Sequence, residues 1–308
     1  MQERVATIDV GSNSCVLLIS EWREGRLVRL ASRIAFTRLA QDLDVSACLS
    51  PASIMRSTEA LRGFVELARE FGVKRLSGVG TAALREAKNG ADLIARVAEF
   101  GLPLRAISGA EEARLSFCSA IEGRDESAAL VVDVGGASSE FAWGRNGRLE
   151  GRVSLPIGSV RLHQGLQLEA PWQVGDRARV DAFIADAFEQ LPEALRQLEP
   201  MPLLAVAGTA VSAAQCLLGL KGYDAEIIDG SEIKAESLDS LIADLARQDA
   251  PTRCREFGLP SGRADVLPAG LAILRSVLAL RGESRLIVRD RGVAWGEALS
   301  LFQGELKG

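Results

Sequence analysis

Two short stretches, Asp9-Val-Gly-Ser-Asn-Ser14 and Asp133-Val-Gly-Gly-Ala-Ser138, constrain what this chain can fold into more than any other feature. Each follows an apolar run, Val5 to Ile8 in the first case and Ala129 to Val132 in the second. Each leads into another strand-like run, Cys15 to Ile19 and Ser139 to Trp143. An apolar strand that delivers an acid to a glycine turn and then reverses makes a phosphate-sized bend with a carboxylate beside it. One design used twice implies a duplicated architecture.

The surrounding pattern repeats too. Residues 4–10, 15–21 and 25–35 read as an antiparallel meander, and 129–144 followed by 148–155 reads as a second one, with Glu24-Gly25 and Asn146-Gly147 as turns. After the first meander come a polar loop from Thr37 to Leu49 and a helix opened by Ser50-Pro51 and running to Phe71-Gly72. Then follow a strand at 74–80, a short helix at 81–90, a helix at 91–100 and a strand at 104–107. After the second meander the spacing predicts a helix from Pro156 to His163, a long helix over 173–198, a strand at 203–206 and a helix at 210–219. The segment 221–263 reads as mostly helical, and the chain closes with a helix at 263–281, a strand at 285–288 and a helix at 292–302. Strands alternating with helices on this scale indicate two α/β domains.

Several candidate functional groups lie where strands stop. Ser12, Asn13, Ser14, Ser138 and Ser139 place short donors beside the amides of Gly11, Gly135 and Gly136, a nest suited to phosphate oxygens. The strand ending at Gly80 feeds a helix carrying Arg85, and the strand ending at Val206 runs through Ala207-Gly208-Thr209 into another. Anions bind at such strand-to-helix junctions. Ser108 followed by Glu111 forms a capping box that occupies Glu111 with the helix's own amide and leaves Glu112 as an available carboxylate. Near the positive end of the helix dipole, Glu112 is expected to stay ionised. Asp9, Asp133 and Glu140 stand beside the turns, and carboxylates near phosphate require a divalent cation; all-oxygen donors favour Mg2+ or Mn2+.

Composition narrows the field. The formal charge of −5 argues against a DNA or RNA partner. Only five lysines accompany the arginines, so positive charge is carried almost wholly by a group whose planar fork suits phosphate. Five scattered cysteines have no spacing for zinc or redox work and read as small apolar core residues. His163 is the only histidine, which disfavours a serine or cysteine triad. With no apolar run long enough to span a bilayer and a first strand starting close to Met1, a cytoplasmic setting without a membrane partner is expected.

The motifs, taken in order, resemble the exopolyphosphatase and guanosine pentaphosphate phosphohydrolase (Ppx/GppA) family of the actin and sugar-kinase fold group. The resemblance rests on Ile8–Ser14, Val79–Gly90, Ile107–Arg114, Val132–Glu140, Ser154–Leu162 and Ala207–Thr209. It implies two actin-like (ribonuclease H-like) domains facing a central cleft, with residues 1–124 plus 299–308 in the first and 125–298 in the second. By the same resemblance Glu112 is the catalytic base and Asp133 and Glu140 assist with metal and water; Asp9, beside the first turn, is expected from its place there to join them as a metal ligand. The first turn (Gly11, Ser12, Asn13, Ser14) and Arg85 hold phosphate, together with Gly135, Gly136, Ser138, Ser139, Gly208 and Thr209. The implied substrate is polyphosphate or guanosine pentaphosphate, and a homodimer is common in the family. The family usually has glycine where Ala137 stands and threonine where Ser139 stands, so the second turn is expected to be stiffer. An ATP-dependent kinase or ATPase of the same fold group, and a non-catalytic polyphosphate or alarmone sensor, stay open as alternatives.

Overall fold

The computed structural model describes residues 3–124 and 128–303. It contains two sheets in a mixed α/β arrangement. In the first, β1 (Arg4–Val10), β2 (Cys15–Arg23) and β3 (Arg26–Ala35) form the meander, and β4 (Arg75–Gly80) and β5 (Leu104–Ala106) extend it in the order β3-β2-β1-β4-β5. Strands β1, β4 and β5 run parallel. In the second, β6 (Ala128–Val134), β7 (Ser139–Arg145) and β8 (Arg148–Leu155) form the meander. Strands β9 (Leu203–Val206), β10 (Glu232–Lys234) and β11 (Arg285–Val288) complete the order β10-β11-β9-β6-β7-β8. The run β8-β7-β6-β9-β11 repeats β3-β2-β1-β4-β5 strand for strand, with β10 added antiparallel at the edge.

The period-two alternation of the strands divides each sheet into a core face and an opposite face. Ala6, Ile8 and Val10 of β1 and Cys15, Leu17 and Ile19 of β2 enter the main core of the first unit, under the helix Pro51–Glu70. Leu130, Val132 and Val134 of β6 and Phe141 and Trp143 of β7 do the same in the second, against the helices Asp176–Phe188 and Leu267–Arg281. Asp9, Asp133 and Glu140 are odd members of these alternations, on the other faces.

Two compact units result, Met1–Arg124 with Val293–Gly308, and Asp125–Gly292. The expected boundary after residue 124 falls at 125–127, and the expected last segment includes 304–308; both lie outside the described residues. The whole closing helix Val293–Gln303, rather than its end from 299, goes with the first unit. The reason is its apolar stripe: Ala294, Trp295, Ala298, Leu299 and Phe302 cover Val5, Leu18 and Leu27 on the face of the sheet opposite the main core.

Local differences from the expected elements have local causes. The long helix expected over 173–198 is two, Asp176–Phe188 and Glu193–Arg196, because Pro192 cannot continue a helix. The helix expected over 81–90 stops at Glu86, and Gly90 opens the next one, its missing side chain making room for the Leu84 carbonyl. The segment 221–263 includes the strand β10, and the helix expected from 263 begins at Leu267 with Pro268 in its first turn. The helix expected from 210 already starts at Ala207. Of the cysteines only Cys15 is fully buried; Cys48, Cys118, Cys216 and Cys254 are half-buried. No described helix is long and apolar enough to cross a membrane.

Gly296 is packed so closely on the helix Gly109–Ile121 that a side-chain carbon there would lie 2.7 Å from the Leu115 carbonyl carbon. Gly296→Ala is expected to destabilise the first unit by about 1–3 kcal/mol, seen as a lower midpoint in thermal unfolding followed by circular dichroism. Burial pushes the thiols of Cys15 and Cys216 up to about 12. Both are expected to resist iodoacetamide at pH 8 in the folded protein and to react once it is denatured, as read by mass spectrometry.

Candidate active site

The two glycine turns share one construction. In the first, the Gly11 amide donates to the Ser14 carbonyl at 3.0 Å; in the second, the Gly135 amide donates to the Ser138 carbonyl at 3.0 Å. A side-chain carbon on Gly11 would come within 2.9 Å of that oxygen, so the closure needs glycine there; on Gly135 it would come within 3.1 Å, and the bend would have to give by a few tenths of an ångström. In each unit the segment after the third meander strand returns to hold the turn. Arg38 and Ala40 donate their amides to the carbonyls of Asn13 and Ser12, both at 2.9 Å. In the second unit Ser159 donates to Gly135 at 2.9 Å, Val160 to Gly136 at 2.8 Å, and the Arg161 guanidinium to the Ala137 carbonyl at 2.7 Å. Gly158 permits this approach, for any side chain there would overlap the Gly136 backbone.

At the ends of the neighbouring strands β4 and β5 the structure assembles a charged pair. Strand β4 ends at Gly80, and the short helix Ala82–Glu86 beyond it carries Arg85 in its last turn. Strand β5 ends just before Ser108, whose hydroxyl accepts the Glu111 amide at 3.1 Å and starts the helix Gly109–Ile121. Glu112 is in the first turn, only 6% exposed, and its Oε2 lies 3.2 Å from an Arg85 guanidinium nitrogen that also donates to the Ile107 carbonyl at 2.8 Å. The capping box is half realised: the Glu111 carboxylate takes a bond from Arg105 at 2.9 Å. Its separation from Glu112 survives, because the two acids point to different partners. Asp9, half-buried at the end of β1, faces the same side of the sheet as Thr7, whose hydroxyl donates to the Ala294 carbonyl at 2.7 Å.

In the second unit Asp133 and Glu140 are direct cross-strand partners on β6 and β7, 4% and 1% exposed. The Ser154 hydroxyl donates to Glu140 Oε1 at 2.7 Å. Two carboxylates opposed on one buried face repel unless a proton or cation lies between them. Their all-oxygen donor set fits a hard divalent ion, which commonly takes one or two carboxylates and completes its shell with water and substrate oxygens. Among the described residues no group of three or more His, Cys, Asp or Glu side chains is gathered into a metal centre.

The hydroxyls of Ser139 and Thr209 have other work than the expected phosphate contact. Ser139 donates to the Ile157 carbonyl at 2.6 Å and Thr209 to the Val134 carbonyl at 2.8 Å, both buried. They brace the second turn. Ser138, Ser12 and Asn13 are buried beside their turns, and Ser14 is half-buried. The junction at Gly208 holds a residue the motif reading missed, Arg263. Its guanidinium lies so close over Gly208 that a side-chain carbon there would stand 2.7 Å from its central carbon. Burial pushes Arg263 down to about 10, against the opposing pull of Asp265. The helix Ala207–Leu217 has no side chain capping its first amides, and Ala207 sits at a left-handed φ of 64°, a strained turn for a residue with a side chain. The signal for Arg263 was an arginine inside the largely apolar stretch between Pro260 and Leu274, where an unexplained charge marks a partner to be found.

The model of the Ppx/GppA phosphatase family matches residues 18–303. The chain belongs to this family. It is 29% identical over 318 residues to Exopolyphosphatase 2 of Mycobacterium tuberculosis, an alignment covering 97% of this chain and 98% of that protein. It is 31% identical over 284 residues to the guanosine-5'-triphosphate,3'-diphosphate pyrophosphatase of Vibrio vulnificus, covering 89% of this chain but 54% of that longer protein. Among solved structures, the Aquifex aeolicus Ppx/GppA family member superposes with a TM-score of 0.81 at 27% identity over 99% of both chains. An exopolyphosphatase from Cytophaga hutchinsonii shares the fold with a TM-score of 0.90 at 22% identity over 98% of both. The fold is therefore the two-domain actin-like one of the family.

Gly158 and Gly208 separate two ways of disturbing the second-unit site. Gly158→Ala meets rigid backbone and is expected to cost about 1–3 kcal/mol by prising the returning segment from the turn. Gly208→Ala meets the movable end of Arg263 and is expected to leave the melting temperature within about a degree or two while displacing that guanidinium. Thermal unfolding and phosphate-binding calorimetry on both variants check the contrast.

Proposed function

We propose that this chain is a divalent-metal-dependent hydrolase that releases the terminal phosphate of a phosphoanhydride, in inorganic polyphosphate or guanosine pentaphosphate. The observation that carries the reading is the buried Glu112 carboxylate held 3.2 Å from Arg85 at a helix start, on the same sheet edge as the first glycine turn. The names of the relatives, an exopolyphosphatase and a guanosine pentaphosphate pyrophosphatase, support the substrate class.

In this reading the terminal phosphate sits on the amides of the first turn, and Arg85 bonds its oxygens. Glu112 takes a proton from water as the water oxygen attacks phosphorus; the P–O bond to the bridging oxygen breaks, and the leaving phosphate keeps that electron pair. Arg85 then has two tasks, orienting the base and meeting negative charge on the transferred group. Preorganised donors of this kind supply most of the rate in phosphoryl transfer. Asp133 and Glu140, the buried carboxylate pair of the second unit, would hold Mg2+ or Mn2+, a cation that supplies positive charge to the reaction when bound. Ser154 keeps Glu140 oriented.

Glu112→Gln keeps the size and one hydrogen-bonding oxygen of the side chain and removes the base. It is expected to lower kcat for phosphate release about 100-fold or more with little change in thermal midpoint. Chelation by EDTA is expected to abolish turnover, and added Mg2+ to restore it. Phosphate release assayed on polyphosphates of several lengths and on guanosine pentaphosphate decides between the substrates. Undiminished release by the Glu112→Gln enzyme rejects the assignment.

A further inference from the structure

The closing helix Val293–Gln303 covers the first sheet with apolar residues, yet it buries one charge there. Glu297 is only 4% exposed, on a helix whose other buried members include Ala294, Trp295, Ala298 and Leu299. Taking a carboxylate out of water is costly unless good partners meet it. Two neighbouring strands supply them. The Ser77 hydroxyl of β4 donates to Glu297 Oε1 at 2.7 Å, and the Arg105 guanidinium of β5 donates to Oε2 at 3.0 Å. The sheet accounts for their convergence: Val79 of β4 and Arg105 of β5 are parallel partners, and Ser77, two residues before Val79, shares its face. Val293 clusters with Val79, Ile107 and Leu115, and Glu297, one helical turn further on, meets Ser77 and Arg105.

Arg105 uses its planar fork twice. One terminal nitrogen holds Glu297, and the other donates to Glu111 Oε1 at 2.9 Å. Glu111 lies in the first turn of the helix Gly109–Ile121, directly before Glu112. Consecutive helical residues differ by about 100° around the axis, so Arg105 on Glu111 and Arg85 on Glu112 grip one turn from two directions. The Arg85 end is fixed as well, through its bond to the Ile107 carbonyl at 2.8 Å. A rotation of that turn which moved Glu112 would break the bond from Arg105 to Glu111. Stability alone does not account for the arrangement. Apolar residues of similar volume commonly serve at a buried ion-pair position as well or better, and Arg105 is half-exposed, where solvent screens its charge.

We infer that Glu297 is a positioning residue for the base: acting through Arg105 and Glu111, it sets the orientation of Glu112. The inference rests on the hydrolase reading above, because it takes Glu112 as the group that accepts the proton of water. A base works only within hydrogen-bond reach of that proton, so a loosened helix start costs turnover more than binding.

The test uses two substitutions of different kinds. Glu297→Leu fills the space without the carboxylate, and Glu297→Gln keeps an oxygen for Arg105 and an amide that can donate to the Ser77 hydroxyl. Each is made alone and together with Arg105→Ala, and kcat and KM for inorganic tripolyphosphate are measured beside the thermal midpoint. Glu297→Leu is expected to lower kcat about tenfold with KM and midpoint nearly unchanged, and Glu297→Gln to recover most of that loss. With Arg105→Ala already present, Glu297→Leu should lower kcat no further, since the path to Glu112 is already cut. A kcat unchanged in Glu297→Leu, or lowered by the same factor with and without Arg105, overturns the inference; so does a kcat that merely follows the thermal midpoint across the variants. If the wild-type protein releases no phosphate from tripolyphosphate or guanosine pentaphosphate, the hydrolase reading falls by itself, and hydrogen exchange over residues 109–115, read by mass spectrometry, carries the test. Faster exchange there in Glu297→Leu and in Arg105→Ala alike supports the positioning chain, and unchanged exchange overturns it.

Discussion

A single backbone hydrogen bond, glycine amide to serine carbonyl three residues on, sets the geometry of each half of this protein. It reverses the chain within four residues, so that β1 and β2, or β6 and β7, pair along their whole length. It also fixes where the preceding acid lies, since Asp9 and Asp133 each end the strand that enters the bend. The returning segments, Arg38 to Ala40 and Ser159 to Arg161, can dock only because the bend presents its carbonyls outward to them. Loss of that one bond would release the acid, the strand register and the docking segment together.

The same scaffold has been put to different uses in the two units. In the first, the strand ends carry the ion pair of Arg85 and Glu112. In the second, the equivalent edge carries paired carboxylates, Asp133 and Glu140, and an arginine, Arg263, pressed over a glycine. Hydroxyls that resemble ligands in the motif serve as braces there, Ser139 on Ile157 and Thr209 on Val134. A buried hydroxyl must donate to something, and in a tight turn the nearest acceptor is a backbone carbonyl. Division of roles after duplication accounts for why the two motifs agree in their glycines and acids and differ in the residues around them.

What the sequence made legible was whatever depends on local rules. The meanders, the two glycine turns, the Ser50 and Ser108 caps and the separation of Glu111 from Glu112 all come from alternation, turn chemistry and capping, which act within a few residues. The Arg85–Glu112 pair was expected only as two residues at neighbouring strand ends. Their bond depends on β4 and β5 lying side by side, which is tertiary information. Arg263 was invisible for the same reason: it is defined by a glycine more than fifty positions away. The misplaced helix ends at Glu86 and Phe188 mark positions where a steric contact at a glycine, or a proline, overrode the periodic pattern.

The helix Val293–Gln303 belongs to the unit built from the start of the chain, so the second unit is an insertion within the first. During synthesis the Val5, Leu18 and Leu27 face of the first sheet therefore waits, uncovered, until that helix has left the ribosome. The second unit, continuous in sequence, can be completed earlier. The unit begun first is thus the last whose apolar face can be covered.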